Sequence, residues 1–204
     1  ECAEIMAEPG KNTYGRVDKV AAWNLLARLY LNAEVYTGTA QWQNAMDYAI
    51  KVINNGYYKL HTTGTTNPNT GEKYSAYQML FLADNDTNGA QYENIFPALF
   101  DEENTKSYGG TNFLILSTYS ATMDAAIPSG TNCKWGKCTR VRGSLLDKFF
   151  SSDAPQTDNL AEMIAAANDD RALFYGKGFT RVIEDESDAD AGFACVKFRD
   201  VRSD

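Results

Sequence analysis

The chain has 204 residues, of which 44% are hydrophobic and 23% are charged, a composition typical of a globular domain with its own core. Its formal charge of −8 would repel a phosphate backbone, and no cluster of Lys or Arg offsets that charge locally, so we expect no nucleic-acid partner. No apolar run approaches the roughly 18 residues that a membrane-spanning helix needs.

Two amphipathic helices dominate the first part of the sequence. Apolar residues recur at spacings of three and four over residues 17–36, and the same period returns over residues 40–54 after a short Thr-Gly-Thr break. Two such helices with alanines at facing positions predict a helical hairpin, similar to one tetratricopeptide unit. Because one unit cannot close its own core, we expect further helices upstream of Glu1.

The remainder alternates between short helices and less regular segments. We expect a polar loop at 62–73, a helix at 74–82, irregular structure with short strands at 84–135, helices at 143–150 and 159–167, and a strand at 193–198. The fold class predicted by these elements is mostly α, with elaborated loops and short strands.

An acidic stretch copies the first half of a calcium-binding EF-hand loop. Asp84, Asp86 and Asn88 alternate as oxygen ligands do, and Gly89 permits the sharp turn. The second half fails, since position twelve is Ile95 where a bidentate Glu is required. A calcium site that recruits ligands from elsewhere and a plain Asp/Asn-rich turn both remain open.

Two aromatic residues lie in predicted loops between polar or glycine neighbours. Tyr108 precedes a Gly-Gly pair, and Trp135 lies between Lys134 and Gly136. Large amphipathic rings on loops suit ligand contact, and a sugar ring can lay its C–H face on them while its hydroxyl rim finds polar partners. The alternative is that each ring folds back over a core edge.

The sequence offers no convincing catalytic arrangement. Glycoside hydrolysis needs two carboxylates on opposite sides of a sugar, and nothing pairs Glu93 with the Asp101-Glu102-Glu103 run. His61 is the only histidine and no G-x-S-x-G motif accompanies it, which disfavours a hydrolytic triad. The spacing of Cys133 and Cys138 allows a local disulfide, but it does not form a zinc pattern.

Several sequence segments, in the same order, resemble proteins of the SusD/RagB family. They are YGRVDKVAAW at 14–23, LARLYLNA at 26–33, VYTG at 35–38, LFLADND at 80–86, YGG at 108–110, DKFF at 147–150 and DDRAL at 169–173. The resemblance extends over nearly the whole chain and is far more specific than a generic helical repeat.

The resemblance implies a mostly α, SusD-like fold in which residues 1–204 are the central part of a single domain. Tetratricopeptide-type helices would occupy residues 1–61, and glycan-binding loops would occupy residues 84–142.

The resemblance also implies site residues. Tyr108 and Trp135 match two aromatic residues of a starch-binding arc whose third ring would lie upstream of this chain. Asp86 matches a calcium ligand whose companions would lie beyond Asp204, so calcium is a possible structural cofactor.

The function implied is non-catalytic binding of starch or malto-oligosaccharides on the bacterial outer membrane. The protein would be held by a lipid anchor outside this chain and would deliver glycan to a TonB-dependent transporter of the SusC type. A family member that binds a different glycan, a tetratricopeptide module that binds a peptide through Asn24 and Arg28, and a glycosidase are the alternatives.

Overall fold

A computed structural model describes residues 2–101, 104–105, 109–132 and 134–204. The chain forms two compact units, the first made of Glu1–His61 and Gly89–Thr105 and the second of Thr62–Asn88 and Lys106–Asp204. Helices are the main regular structure, and each described strand is only two residues long. The prediction of a mostly α fold is thereby confirmed, whereas a single domain over residues 1–204 stays a prediction.

The first unit contains the predicted helical hairpin. Its helices are α1 (Cys2–Ile5), α2 (Lys19–Leu31), α3 (Ala33–Thr37), α4 (Trp42–Ile53) and a 3₁₀ turn at Ala90–Glu93. Helices α2 and α4 pack on each other, and the rings of Tyr30 and Tyr48 stack between them with centroids 5.6 Å apart. The prediction of two packed helices is confirmed, and their assignment to a tetratricopeptide unit stays a prediction.

The prediction of a single helix over residues 17–36 is wrong in one respect. In the structure this segment forms two helices, which are separated at Asn32. The Asn32 side-chain amide donates to the carbonyl oxygen of Arg28 at 2.9 Å, and the Asn32 backbone N–H donates to the same oxygen at 3.3 Å. An Asn side chain that competes for backbone groups favours a helix end over a helix interior. Helix α3 ends at Thr37, and Gly38 after it has a φ of 74°, which suits the left-handed position that follows a helix.

Asp18 fixes the start of α2. Its carboxylate accepts hydrogen bonds from the backbone N–H groups of Val20 and Gly10, at 2.9 and 2.8 Å, and from the hydroxyl of Tyr58 at 2.8 Å. The side chain is only 1% exposed, so these donors replace the water that the carboxylate has lost. Burial, together with the bond to Asp18, raises the pKa of Tyr58 above its usual value.

The apolar stripe of α4 faces solvent. Trp42, Met46, Ile50 and Ile53 are 64%, 51%, 46% and 76% exposed, and Ala45 is the buried residue of this helix. The α2–α4 contact therefore uses Ala45 and the Tyr30–Tyr48 stack, and these four large apolar side chains of α4 remain largely uncovered. We call these four residues the α4 apolar face.

The second unit combines short helices with two small antiparallel sheets. Its elements are β1 (Thr65–Thr66), β2 (Lys73–Tyr74), α5 (Ala76–Met79), α6 (Gly110–Thr118), α7 (Ala121–Ala126), α8 (Gly143–Leu146), α9 (Leu160–Ala167), β3 (Phe174–Tyr175) and β4 (Ala194–Cys195). Strand β1 pairs with β2, and β3 pairs with β4. The predicted helix at 159–167 is confirmed, while those at 74–82 and 143–150 and the strand at 193–198 are shorter than predicted.

The prediction of irregular structure with short strands over residues 84–135 is wrong where α6 and α7 lie. Helix α6 has the sequence GTNFLILST, whose apolar residues are consecutive, so the helical period is hidden. Residues 115–118 of α6 are all buried, because that end of the helix enters the core of the second unit. Here the helix is stabilised by burial against distant residues, which the spacing of apolar residues in the sequence does not reveal.

The core of the second unit is rich in aromatic and large aliphatic side chains. Its buried members include Ile115, Tyr119, Met123, Leu146, Phe150, Met163, Phe174, Phe193 and Val196. The hydroxyl of Tyr119 donates to the carbonyl oxygen of Val196 at 3.2 Å, which satisfies the one polar atom of a ring that is fully buried. Aromatic residues make up 12% of the chain, and part of them thus serve packing. In the described ranges, no helix has the length and apolar character that crossing a bilayer requires.

Candidate functional site

Helix α6 of the second unit organises the region that the sequence singles out. It begins at Gly110, immediately after its N-cap residue Gly109. Tyr108, the first predicted glycan-binding residue, stands next to that cap in the sequence but lies outside the described residues. Its predicted role stays a prediction.

The segment that carries Trp135 runs along the last turn of α6. The backbone N–H of Trp135 donates to the carbonyl oxygen of Leu116 at 2.8 Å, and those of Cys138 and Thr139 donate to Ser117 at 2.8 and 3.1 Å. The hydroxyl groups of Ser117 and Thr139 also share a hydrogen bond of 2.7 Å. Because the last carbonyls of a helix lack partners within the helix, this segment both satisfies them and holds Trp135 beside α6.

Trp135 presents its ring to solvent, which is one of the two alternatives that the sequence left open. Its side chain is 44% exposed, so it does not fold back into the core. Its ring meets the ring of Phe113 on α6, with centroids 6.0 Å apart and planes inclined by 66°. Phe113 is itself 47% exposed.

Sequence reasoning missed Phe113. It follows the small and polar residues Gly110, Thr111 and Asn112, a context much like that of Tyr108 and Trp135. That neighbourhood is the signal that could have found it.

Lys134 secures the backbone next to Trp135. Its ammonium group lies 3.1 Å from the carboxylate of Asp124 and donates to the carbonyl oxygen of Thr131 at 2.5 Å. Partial burial disfavours the charged form of Asp124, but the hydrogen bonds from Ser129 and the ion pair with Lys134 outweigh it and lower the pKa of the carboxyl group. Because its ammonium group pairs with Asp124 and Thr131, Lys134 does not present an unpaired charge to a ligand.

The two aspartates of the acidic stretch in the second unit differ, since Asp84 is buried and Asp86 is exposed. Asp84 is 2% exposed, and its carboxylate accepts from the backbone N–H and the hydroxyl of Ser203, at 3.0 and 2.5 Å, and from the amide of Asn88 at 3.3 Å. Asp86 is exposed. Both oxygen atoms of Asp84 thus accept hydrogen bonds from protein donors, and this carboxylate has a structural role.

Calcium takes six to eight oxygen ligands, so Asp86 alone does not make a site. Within the described ranges, no three His, Cys, Asp or Glu side chains converge as metal ligands. Calcium binding at Asp86 stays a prediction that requires ligands from elsewhere.

A sequence comparison with known proteins extends over nearly the whole chain. The starch-binding protein SusD of Bacteroides thetaiotaomicron is 36% identical to the chain over 234 residues, an alignment that covers 98% of the chain and 39% of that protein. The chain is similar to SusD. The predicted resemblance to part of a SusD-type protein is confirmed, and the chain spans about two fifths of the length of SusD. No protein-family model matches the sequence.

Two of the carboxylates considered for catalysis, Glu93 and Asp101, take part in local hydrogen bonds of the first unit. Glu93 accepts a hydrogen bond from the backbone N–H of His61 at 2.7 Å. Hydrogen bonds from Asn104, and then from Thr105, lower the pKa of Asp101. Glu102 and Glu103 lie outside the described residues. SusD, to which the chain is similar, is named as a starch-binding protein.

The cysteine pairing suggested by spacing is not established. Cys138 is a free, exposed cysteine whose thiol approaches the carbonyl oxygen of Gly136 at 3.4 Å. Cys133 lies outside the described residues. The free Cys138 thiol gives no support to the Cys133–Cys138 disulfide that the spacing allows.

Proposed function

We propose that this protein binds starch-like oligosaccharides and catalyses no reaction on them. The observation that carries the proposal is the half-exposed ring of Trp135, which backbone hydrogen bonds hold against α6 in a chain similar to a protein named for starch binding. A ring fixed before the ligand arrives loses little conformational freedom on binding, so more of the contact energy appears as affinity.

The chemistry of this surface suits a neutral sugar. The C–H face of a pyranose packs on an aromatic ring, and its hydroxyl groups bond to polar groups around it. Lys134, the nearest charged residue along the chain, is committed to Asp124, so no unpaired ammonium at that position selects an anionic ligand. Tyr108, adjacent to the N-cap of α6, is proposed as a further stacking residue.

The resemblance to SusD supports a finer proposal about location and partner. The protein would stand on the bacterial outer membrane, held by a lipid anchor outside this chain, and would pass glycan to a TonB-dependent transporter of the SusC type. Copurification of such a transporter with the tagged protein from outer-membrane extracts tests this. Recovery of the tagged protein without any transporter, under conditions that preserve other membrane complexes, contradicts it.

Isothermal titration with maltoheptaose and cellohexaose tests the binding proposal. We expect the α-1,4-linked sugar alone to bind, and we expect Trp135→Ala to weaken it by about tenfold or more, as loss of a central aromatic contact does. Tyr108→Ala should also weaken binding. The control is Trp42→Ala, which removes an exposed Trp of the first unit and should leave affinity unchanged.

Three other outcomes of these experiments would contradict parts of the proposal. Cellohexaose bound as well as maltoheptaose would favour a different glycan. Full affinity in both Trp135→Ala and Tyr108→Ala would place the site elsewhere. Release of reducing sugar by the purified protein would contradict non-catalytic binding.

A further inference from the structure

Phe113 is an exposed aromatic residue that the fold does not use to fill the core. Helix α6 buries residues 115–118 of its last turn, but Phe113, earlier in the same helix, leaves 47% of its side chain in water. A solvent-facing Phe gains little stability from its exposed part, since hydrophobic stabilisation scales with the area removed from water. The exposed face is thus available for contact with a ligand.

The rings of Phe113 and Trp135 form an angled pair. Their planes meet at 66°, and the ring centroids are 6.0 Å apart, within the range of favourable edge-to-face contacts. One ring belongs to a helix, and the other is held by the hydrogen bond from the Trp135 backbone to Leu116. Both rings are therefore preorganised on α6, and together they offer a corner rather than a flat platform.

A corner of two rings suits a glycan whose successive sugars turn relative to each other. A flat, extended chain such as cellulose stacks best on coplanar rings, whereas an α-1,4-linked chain curves and changes the direction of its C–H faces from unit to unit. Phe carries no polar group, so it would recognise a C–H face and not a hydroxyl group.

We propose that Phe113 is a glycan-contacting residue, which packs on the sugar unit next to the one that stacks on Trp135. This inference rests on the proposed function, because it assigns a second ring to the same site. Phe113 would then contribute to affinity for long oligosaccharides and to the preference for curved chains.

The test is titration of the protein and its Phe113 variants with maltotriose and maltoheptaose. Phe113→Ala should raise the Kd for maltoheptaose about tenfold, which corresponds to the loss of one aromatic contact, and it should reduce the gain in affinity from maltotriose to maltoheptaose. Phe113→Tyr keeps the ring and should bind nearly as the parent protein does. Phe96→Ala, which removes an exposed Phe of the first unit, is the matched control.

Phe113→Leu separates ligand contact from simple support of Trp135. Leu keeps an apolar side chain against the indole but has no aromatic face, so a contacting role predicts weak binding in this variant also. If Phe113→Leu binds maltoheptaose as tightly as the parent protein does, Phe113 only supports the ring of Trp135 and the inference is wrong. Thermal unfolding of each variant shows that it is folded.

Two further outcomes distinguish the inference from the proposed function. Loss of binding in Trp135→Ala with full affinity in Phe113→Ala overturns the role of Phe113 and leaves the proposed function intact. No binding of maltoheptaose by the parent protein overturns both.

Discussion

At the scale of single residues, Glu72 and Arg199 show how a charged pair is placed inside the second unit. Arg199 is 3% exposed, and its guanidinium meets the two carboxylate oxygens of Glu72 at 2.6 and 3.3 Å. Its Nε donates to the carbonyl oxygen of Pro128 at 2.7 Å, and Tyr74 donates to Glu72 at 2.8 Å. Such a pair is stable only while every polar atom has a partner, so loss of one charge is costly.

This pair predicts sensitivity to acid. Burial opposes the charged form of Glu72, but the hydrogen bond and charge of Arg199 outweigh it and lower the pKa of the carboxyl group. A carboxyl group whose folded pKa is depressed adds stability above its unfolded pKa, about 4.3, and that stability is lost as the pH falls through the folded pKa. Urea unfolding should therefore show a decline below about pH 5 that is smaller in Glu72→Gln.

The matched control for this prediction is Glu162→Gln, which removes a carboxylate that bonds to Thr157 and Asn159 at the exposed start of α9. We expect the control to keep the acid-dependent decline of the parent protein. An identical pH profile in Glu72→Gln and the parent would refute the assignment.

At the scale of elements, the 135–139 segment and α6 depend on each other. The segment supplies donors to the last carbonyls of the helix, and the helix fixes the backbone from which Trp135 projects. Gly136 makes the turn between these hydrogen bonds with a φ of +67°, a conformation that costs any residue with a Cβ.

Gly136→Ala should therefore weaken both stability and binding. We expect a loss of about 1–2 kcal/mol in the free energy of unfolding from the left-handed backbone, and a raised Kd for maltoheptaose because Trp135 is displaced. Gly71→Ala is the control, since Gly71 has a φ of +74° with open space around it. It should lose similar stability and keep its affinity. Equal affinity in both variants would show that this turn does not position Trp135.

At the scale of the whole molecule, the α4 apolar face departs from the ordinary rule that large apolar side chains are buried. Trp42, Met46, Ile50 and Ile53 are all at least 46% exposed in one short helix. Contiguous exposed apolar surface of this kind binds hydrophobic dyes and promotes association.

The α4 apolar face predicts a solution property of the 204-residue chain. Trp42→Gln combined with Ile53→Gln should reduce the fluorescence of bound anilinonaphthalene sulfonate and should change the free energy of unfolding by no more than about 0.5 kcal/mol, since both side chains are exposed. Val182→Gln alters an exposed apolar residue of the second unit and is the control. Strong destabilisation by the double change would mean that these side chains are buried in solution.

Local signals determined a good part of the structure and of the candidate site. The three-and-four spacing of apolar residues specified α2 and α4, because a helix repeats its faces at that period. The polar and glycine neighbours of Trp135 marked it as a candidate for ligand contact but left open whether its ring folds back over the core, and the structure leaves 44% of it exposed. The order of short segments specified the resemblance to SusD, which depends on residue identity and needs no coordinates.

Long-range contacts decided the rest. Helix α6 shows no period because its end is buried on several sides, and its length and position are fixed by a segment some twenty residues further along the chain. The meeting of Phe113 and Trp135 follows from that pairing. A separate long-range contact commits Asp84 to Ser203, 119 residues further along the chain. Sequence reveals which residues suit a role, and packing between distant segments determines which of them are free to perform it.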